Sequence, residues 1–181
     1  MLFAGYRSLT FNQWMIRSAL LILLLSVPAH AGSVLLQGTP KVILGDVLEV
    51  QGTRVRLIGI DAPERGQNCR AASGREFDCG HIAVTALMDL TAGVAVRCEL
   101  TDQIVDDLPV ALCKAGGYDL SEGMVHAGSA LASPGNQTIY SKIEKTARKG
   151  KHGMWRGEFD QPWDWLRGIR KKLNSPTAAT Q

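Results

Sequence analysis

Four charged residues between positions 46 and 64 have side chains that could act on an anionic ester: Asp46, Arg56, Asp61 and Glu64. Asp46 and Asp61 stand at the ends of β-rich runs, where two carboxylates can converge on a hard cation such as Ca²⁺. A cation that offsets phosphate charge, a carboxylate that orients water and a guanidinium that binds phosphate are the parts of phosphodiester hydrolysis. Asp, Glu and Arg side chains are usually solvated at the surface, so these residue types alone do not establish a site.

Three β-rich runs must position these side chains. Residues 41–44, 47–50 and 54–60 are rich in aliphatic and β-branched residues. Apolar and polar residues alternate in the second and third runs, which is the period-2 pattern of a half-buried strand. In the third run, this alternation places Val55 on one face and Arg56 on a polar or mixed outer face.

The remaining elements complete a small barrel. Helical spacing predicts three helices, at residues 80–90, 120–127 and 138–149, and two more β-rich runs lie at 94–100 and 110–114. Five short strands with helices inserted and appended are typical of a small closed sheet. The predicted fold is therefore a β-barrel plus helices, namely a five-stranded OB-fold barrel with about three helices.

The N-terminus has the pattern of a secretory signal peptide. Arg17 precedes an apolar run at residues 19–25, and Ala29-His30-Ala31 forms an A-x-A cleavage site. The alternative is a membrane anchor. The apolar run is much shorter than the roughly 20 residues that span a membrane, which favours export followed by cleavage.

Cleavage at this site divides the chain into three parts. We predict a signal peptide over residues 1–31, a single domain over 32–172 and a disordered polar tail over 173–181. The mature protein is expected to be periplasmic or secreted, monomeric and without stable membrane insertion. Whether translation starts at Met1 or Met15 stays open.

Composition and charge exclude some protein classes. Hydrophobic residues make up 45% of the chain and charged residues 20%, a globular composition that excludes disorder throughout. The charge is uneven, because residues 32–140 hold 8 basic and 13 acidic side chains whereas residues 141–172 hold 10 basic and 4 acidic ones. This basic C-terminal part could meet phosphate or anionic polysaccharide, or it could be a solvated helix face.

The four cysteines indicate disulfides rather than a metal site. Export would bring them into an oxidising compartment, where they allow three pairings. No C-x-x-C motif occurs and His81 is the only nearby histidine, which disfavours zinc. We predict the pairing between sequence neighbours, Cys69 with Cys79 and Cys98 with Cys113.

The order and spacing of the charged residues resemble one family. Residues 56–64 read Arg-Leu-Ile-Gly-Ile-Asp-Ala-Pro-Glu, which is similar to the R-L-x-x-I-D-A/T-P-E signature of the thermonuclease (staphylococcal-nuclease-like) family. Similarity extends from about residue 41 to residue 165, and includes Cys79-Gly80-His81 and Gly153-Met154-Trp155, as in the secreted proteobacterial branch. The resemblance implies an OB barrel with three helices, in agreement with the pattern above.

The resemblance also implies roles for individual residues. Asp46 and Asp61 match the carboxylates that bind calcium in the family, and Ala62 matches the residue whose backbone carbonyl reaches the metal. Glu64 matches the general base that activates water. Arg56 matches one of two arginines that bind phosphate, in enzymes that hydrolyse DNA or RNA.

Several positions depart from the family pattern. At the positions of the family's D-G-D-T motif, this chain has Leu44 in place of the first aspartate and Val47 in place of the threonine. The family's second phosphate-binding arginine aligns with Leu108, and the tyrosine two residues before it aligns with Asp106. Residues 129–136 lack the aromatic residues on which nucleotides stack. The nucleic-acid side of the site is therefore impaired, while the metal side is mostly retained.

Two functions follow from this balance. The first is an exported, calcium-dependent phosphodiesterase with weak or absent hydrolysis of nucleic acid. The alternative is a non-catalytic extracytoplasmic factor in exopolysaccharide biosynthesis, because some rhizobial proteins of this branch are associated with succinoglycan production. Its partner would be an anionic polysaccharide or a protein. Trp155, Trp163 and Trp165 could line a sugar groove, or they could pack the C-terminal segment onto the barrel.

Overall fold

The computed structural model describes residues 34–134 and 139–173, which belong to one compact unit, Ser33–Gln181. The predicted signal peptide, its cleavage site and the predicted tail beyond Leu173 lie outside the described residues, so they stay predictions. None of the described helices has the length and apolar content needed to cross a bilayer.

Twelve short strands are present among the described residues, and most of them connect through tight turns. Their bounds are β1 Leu35–Gly38, β2 Lys41–Leu44, β3 Val47–Val50, β4 Thr53–Leu57, β5 Ile60–Asp61, β6 Asn68–Ala71, β7 Glu76–Asp78, β8 Val96–Val105, β9 Leu108–Ala115, β10 Tyr118–Asp119, β11 Leu131–Ala132 and β12 Gly157–Glu158.

The same part of the chain contains four α-helices and one short 3-10 helix at Gly153–Arg156. The α-helices are α1 Cys79–Thr91, α2 Leu120–His126, α3 Ile139–Lys149 and α4 Pro162–Leu173. The first three agree with the predicted helices, whereas α4 was not predicted. Side-chain caps define two of the starts, since Asp78 accepts a hydrogen bond from the His81 N–H and Asp119 accepts from Ser121 and Glu122.

The main sheet has the strand order β1-β8-β9-β4-β3-β2, with β10 paired to β9. Neighbours pair antiparallel except β4 and β9, which run parallel. The two ends of this path, β1 and β2, are consecutive along the chain and are separated only by Thr39 and Pro40. The sheet therefore curls on itself, and the predicted OB-type barrel with helices is confirmed. Strands β5 and β11 form a small second sheet, and β6, β7 and β12 form a third.

The barrel interior holds the main hydrophobic core, to which α1, α2 and α3 each contribute one face. Its fully buried members come from the inward positions of β3, β4, β8 and β9 and from the helices. They include Leu48, Val50, Val55, Leu57, Leu87, Val96, Leu120, Met124 and Val125.

The two disulfides have the predicted pairing. Cys98 and Cys113 join directly opposite residues of β8 and β9, and Cys69 joins Cys79 between the third sheet and α1. The Cys69–Cys79 disulfide belongs to a smaller core cluster against which Trp155 and Trp163 pack. These two tryptophans therefore serve the packing role, rather than lining an open groove.

Candidate functional site

Arg56 is the centre of a buried charge cluster. It lies on β4, between its β3 partner Val47 and its β9 partner Val110, and only 9% of its surface is exposed. Its Nη1 atom lies 2.5 Å from Asp46 Oδ2 and 4.0 Å from Asp61 Oδ1. The expected outer-face position of Arg56 was therefore wrong: the guanidinium is buried because carboxylates surround it.

Asp46 is held in place by a close contact of backbone segments. Gly45, in the turn between β2 and β3, lies so near α1 that an added Cβ would be 2.7 Å from the Cβ of Ala83 and 2.8 Å from that of Ala62. The Asp46 side chain is 2% exposed. Burial raises the pKa of Asp46, while Arg56 and backbone N–H groups of Asp46 and Ala62 partly oppose that rise. Any side chain at position 45 would therefore force Ala62 or Ala83 to shift.

Asp61 belongs to the same charge cluster, but one of its carboxylate oxygens lacks a hydrogen-bond partner among the described residues. It ends β5, and this oxygen is its buried Oδ1 atom. Burial, together with repulsion from Asp46, raises the pKa of Asp61 to about 7, although Arg56 opposes the rise. An unpartnered carboxylate oxygen beside a second carboxylate is an arrangement that a hard cation would stabilise.

A third carboxylate, Asp106, reaches the same guanidinium. Asp106 and Asp107 form the two-residue turn between β8 and β9, with φ values of 48° and 62°. Two consecutive positive φ angles define a type I′ hairpin turn, in which Asp is tolerated and Asn or Gly is preferred. The turn brings Asp106 Oδ2 to 3.5 Å from Arg56 Nη2. Both terminal nitrogens of Arg56 are therefore engaged by carboxylates of the chain itself.

Glu64 is positioned by Gln67, a residue whose role the sequence did not indicate. The Glu64 N–H donates to Gln67 Oε1 at 3.1 Å, and the Gln67 N–H donates back to the Glu64 carbonyl at 3.0 Å. Gln67 is fully buried, and its Nε2 donates to the Asp160 carbonyl. Helix α1 packs onto this turn so closely that a Cβ at Gly80 would be 1.9 Å from the Glu64 carbonyl oxygen.

The cluster offers two carboxylates, Asp46 and Asp61, as candidate oxygen ligands for a hard cation. Ala62 stands next to Asp61 with its N–H directed to Asp46. The unpartnered Asp61 oxygen is an acceptor available to a cation. No group of three or more acidic, histidine or cysteine residues with metal-site geometry occurs within the described ranges. Leu44, in place of the family's first acid, is consistent with a reduced ligand set.

An open cleft of about 360 Å³ lies beside the charge cluster. Arg56, Asp61 and Asp106 form its charged wall, and Leu166 of α4 lies on its apolar side. Two of these three charged side chains are acidic. The cleft can therefore hold a cation or a neutral group more readily than a phosphate.

Among the described residues, no second arginine is paired with this acidic cluster at the position of the aligned family arginine. Leu108 begins β9, is half-buried and pairs with Val105 across the hairpin. Arg65 donates to the Ile43 carbonyl at 2.7 Å, and Arg70 pairs with Glu76 at 3.5 Å. Within residues 34–134 and 139–168, Arg56 is the only guanidinium that forms an ion pair with this acidic cluster.

Comparisons with known proteins agree with this geometry. The sequence model of the family described as staphylococcal nuclease homologue matches residues 54–157. The chain is 32% identical over 124 residues to the succinoglycan biosynthesis protein ExoI of Rhizobium meliloti (strain 1021), covering 67% of this chain and 65% of that protein. It is 29% identical over 181 residues to a micrococcal nuclease of Shigella flexneri, covering 87% of this chain and 94% of that protein.

The first of these relatives is longer than the matched region, since the chain spans less than two thirds of its length. The family match, in contrast, covers more than half of this chain and contains Arg56, Asp61, Glu64 and the hairpin turn at Asp106. On that match, and with the OB-type barrel that carries these residues, the chain belongs to the staphylococcal nuclease homologue family.

Proposed function

We propose that this chain is a thermonuclease-like protein that keeps a calcium-binding carboxylate pair but hydrolyses nucleic-acid phosphodiesters weakly or not at all. The observation that carries the proposal is the contact between Asp106 and Arg56 at 3.5 Å. A phosphate that binds to Arg56 must displace this carboxylate or accept its repulsion.

The retained residues have consistent chemical roles in this proposal. Asp46, Asp61 and the Ala62 carbonyl would hold the calcium ion, which when bound supplies positive charge to offset that of a phosphate. Glu64, fixed by Gln67, would take a proton from water. Arg56 would bind the phosphate through its Nη atoms, which requires that it release part of its present ion pairing.

The expected loss of rate comes from the second arginine. By analogy with arginine fingers, a missing guanidinium at a phosphoryl transition state costs roughly 10³–10⁵ in rate. Leu108 supplies no charge at the aligned position, and Asp106 adds a negative one. Both differences weaken stabilisation of the negative charge on the phosphate in the transition state, so any residual activity is expected to be low.

A second candidate function is supported by the cleft. We propose as the alternative a non-catalytic factor in exopolysaccharide biosynthesis, because one relative is named a succinoglycan biosynthesis protein. The acidic wall of the cleft, formed by Asp61 and Asp106, suits a neutral or hydroxyl-rich group better than a phosphate. This alternative needs no hydrolysis by Glu64.

We also propose that the protein acts outside the cytoplasm. Two disulfides account for all four cysteines of the chain, and such a pairing is stable in an oxidising compartment. The signal-peptide pattern ending at Ala31 supports the same location.

A rescue experiment tests the first candidate. The triple variant Asp106→Tyr, Asp107→Gly, Leu108→Arg places the family residues back in the turn, and it should cleave single-stranded DNA with Ca²⁺ far faster than the wild type. Adding Glu64→Gln should remove the recovered activity. A folded triple variant that gains no activity would favour the non-catalytic alternative.

A further inference from the structure

A second charged surface, none of whose members lines the cleft, lies on helix α3 and the turn that follows it. Six exposed cations form this surface, which we call the basic face. Its members are Lys142, Lys145, Arg148, Lys149, Lys151 and Arg156.

The charge of the basic face is not neutralised within the described part of the chain. None of its six members forms an ion pair with a described residue. The only acid between residues 139 and 157 is Glu144, whose carboxylate accepts a hydrogen bond from the Ala132 N–H at 2.9 Å. That carboxylate therefore turns toward the barrel, and six basic side chains stand against one acidic side chain over residues 139–157.

The helix holds Lys142 and Lys145 in positions that it does not favour, whereas Arg148 and Lys149 lie in the last turn, where the helix dipole favours a cation. Lys142 with Lys145, and Lys145 with Lys149, are like-charged neighbours three and four residues apart, which repel each other. Lys142 also lies in the first turn, where the helix dipole disfavours a cation and no acid is present. An ordinary solvated helix face would carry opposite charges at these spacings. The arrangement is instead complementary to an external polyanion.

Among the described residues, the basic face has no free aromatic ring on which a nucleobase could stack. Trp155 is the ring next to it, and it is half-buried, edge-on to Phe159 with ring centroids 5.1 Å apart. The Arg148 guanidinium lies over the same tryptophan, 5.3 Å from the ring centroid. Single-stranded nucleic acids bind through stacking as well as charge. Four of the six cations are lysines, which act as point charges toward carboxylate and phosphate alike.

We propose that the basic face binds an acidic polysaccharide through its carboxylates. The choice of polymer rests on the alternative function proposed above, whereas the charge argument stands without it. The cations from Lys142 to Lys149 span about 10 Å along the helix, from the rise of 1.5 Å per residue. They can therefore contact several charges of one extended polymer.

The test uses the mature protein in EDTA, so that binding is measured without any reaction in the cleft. The probes are fluorescein-labelled polygalacturonate, neutral dextran and duplex DNA of similar length, followed by fluorescence anisotropy. The helix variant is Lys142→Gln, Lys145→Gln, Lys149→Gln, and Gln is chosen because it keeps a high helix propensity. The matched control is Lys41→Gln, Arg97→Gln, Lys114→Gln, which removes the same charge from exposed positions of the barrel strands.

We expect polygalacturonate to bind and dextran not to bind, with an affinity that falls as salt is raised. The helix variant should lose roughly tenfold in affinity while the control changes by less than about twofold. Equal losses in both triple variants would overturn the proposal, because binding would then follow net charge alone. Absence of polygalacturonate binding, or tighter binding of duplex DNA through the same lysines, would also overturn it. Neither result depends on whether the cleft hydrolyses phosphodiesters.

Discussion

The contact between Asp106 and Arg56 leads to a specific prediction for the variant Asp106→Asn. Asn suits the left-handed backbone at position 106 as well as Asp does, so the change removes charge without altering the turn. Single-stranded DNA should then bind more tightly at Arg56. The control is Asp107→Asn, which removes an equal charge from the adjacent turn residue, and none of the described ion pairs of Arg56 involves Asp107.

The size of the effect follows from the geometry. Two unit charges 3.5 Å apart interact by about 1 kcal/mol in a water-like dielectric and by about 5 kcal/mol at an effective dielectric of 20. The Asp106 side chain is 47% exposed, so the lower value applies. A gain of about 1 kcal/mol corresponds to about fivefold tighter binding.

The assay is fluorescence anisotropy of a labelled oligodeoxynucleotide in EDTA, which prevents cleavage. Asp106→Asn should tighten binding about fivefold at low salt, and Asp107→Asn should have a clearly smaller effect. Equal effects of the two variants would mean that only net charge matters. No change in either variant would refute the idea that Asp106 competes with phosphate at Arg56.

Three further predictions concern the metal, the pH and the thiols. Millimolar Ca²⁺ should raise the melting temperature by mass action, and an equal rise in the Asp46→Ala, Asp61→Ala double variant would count against the carboxylate pair as its site. In EDTA, Asp61 keeps its proton in the folded protein up to about pH 7 but loses it near pH 4 when unfolded. The contribution of Asp61 to the free energy of unfolding should therefore decline as the pH rises from about 4 to 7. Urea unfolding at pH 5 and pH 8 should show this decline in the wild type, and a smaller decline in Asp61→Asn. Thiol titration of the denatured, unreduced mature protein should find no free thiol, and two reactive thiols would contradict the disulfide pairing.

The sequence predicted most of the barrel because its strands and first three helices have clear periodicity. Strand β2 and strand β3 have the predicted bounds, and helix α3 differs from its predicted range by one residue. The hairpin of β6 and β7 was missed because its strands are short and mostly polar, and the small apolar cluster that Cys69 and Phe77 join is completed by distant residues of the chain. Helix α4 was missed although its residues are strongly amphipathic, and Pro162 at its first position is a helix-start signal that could have identified it.

The sequence predicted that three charged residues of the candidate site lie together, but it did not predict their contacts. As expected for residues at neighbouring strand ends, the structure brings together Asp46, Asp61 and Arg56. The period-2 pattern predicted that Arg56 lies on the outer face of its strand, because arginine is a polar residue. In the structure, carboxylates form ion pairs with its guanidinium and allow it to be buried. The pairing of Asp106 with Arg56 depends on a hairpin turn 50 residues away, and local sequence carries no signal for such a contact.

The most direct test of the proposed function is the initial rate of single-stranded DNA cleavage by the mature wild-type protein with Ca²⁺, compared with the same reaction in EDTA. One phosphate-binding arginine, already paired with Asp46 and Asp106, predicts a rate at or barely above the EDTA background. Rapid cleavage that requires Ca²⁺ and is lost in Glu64→Gln would contradict the account, because it would mean that Arg56 alone suffices for the phosphate.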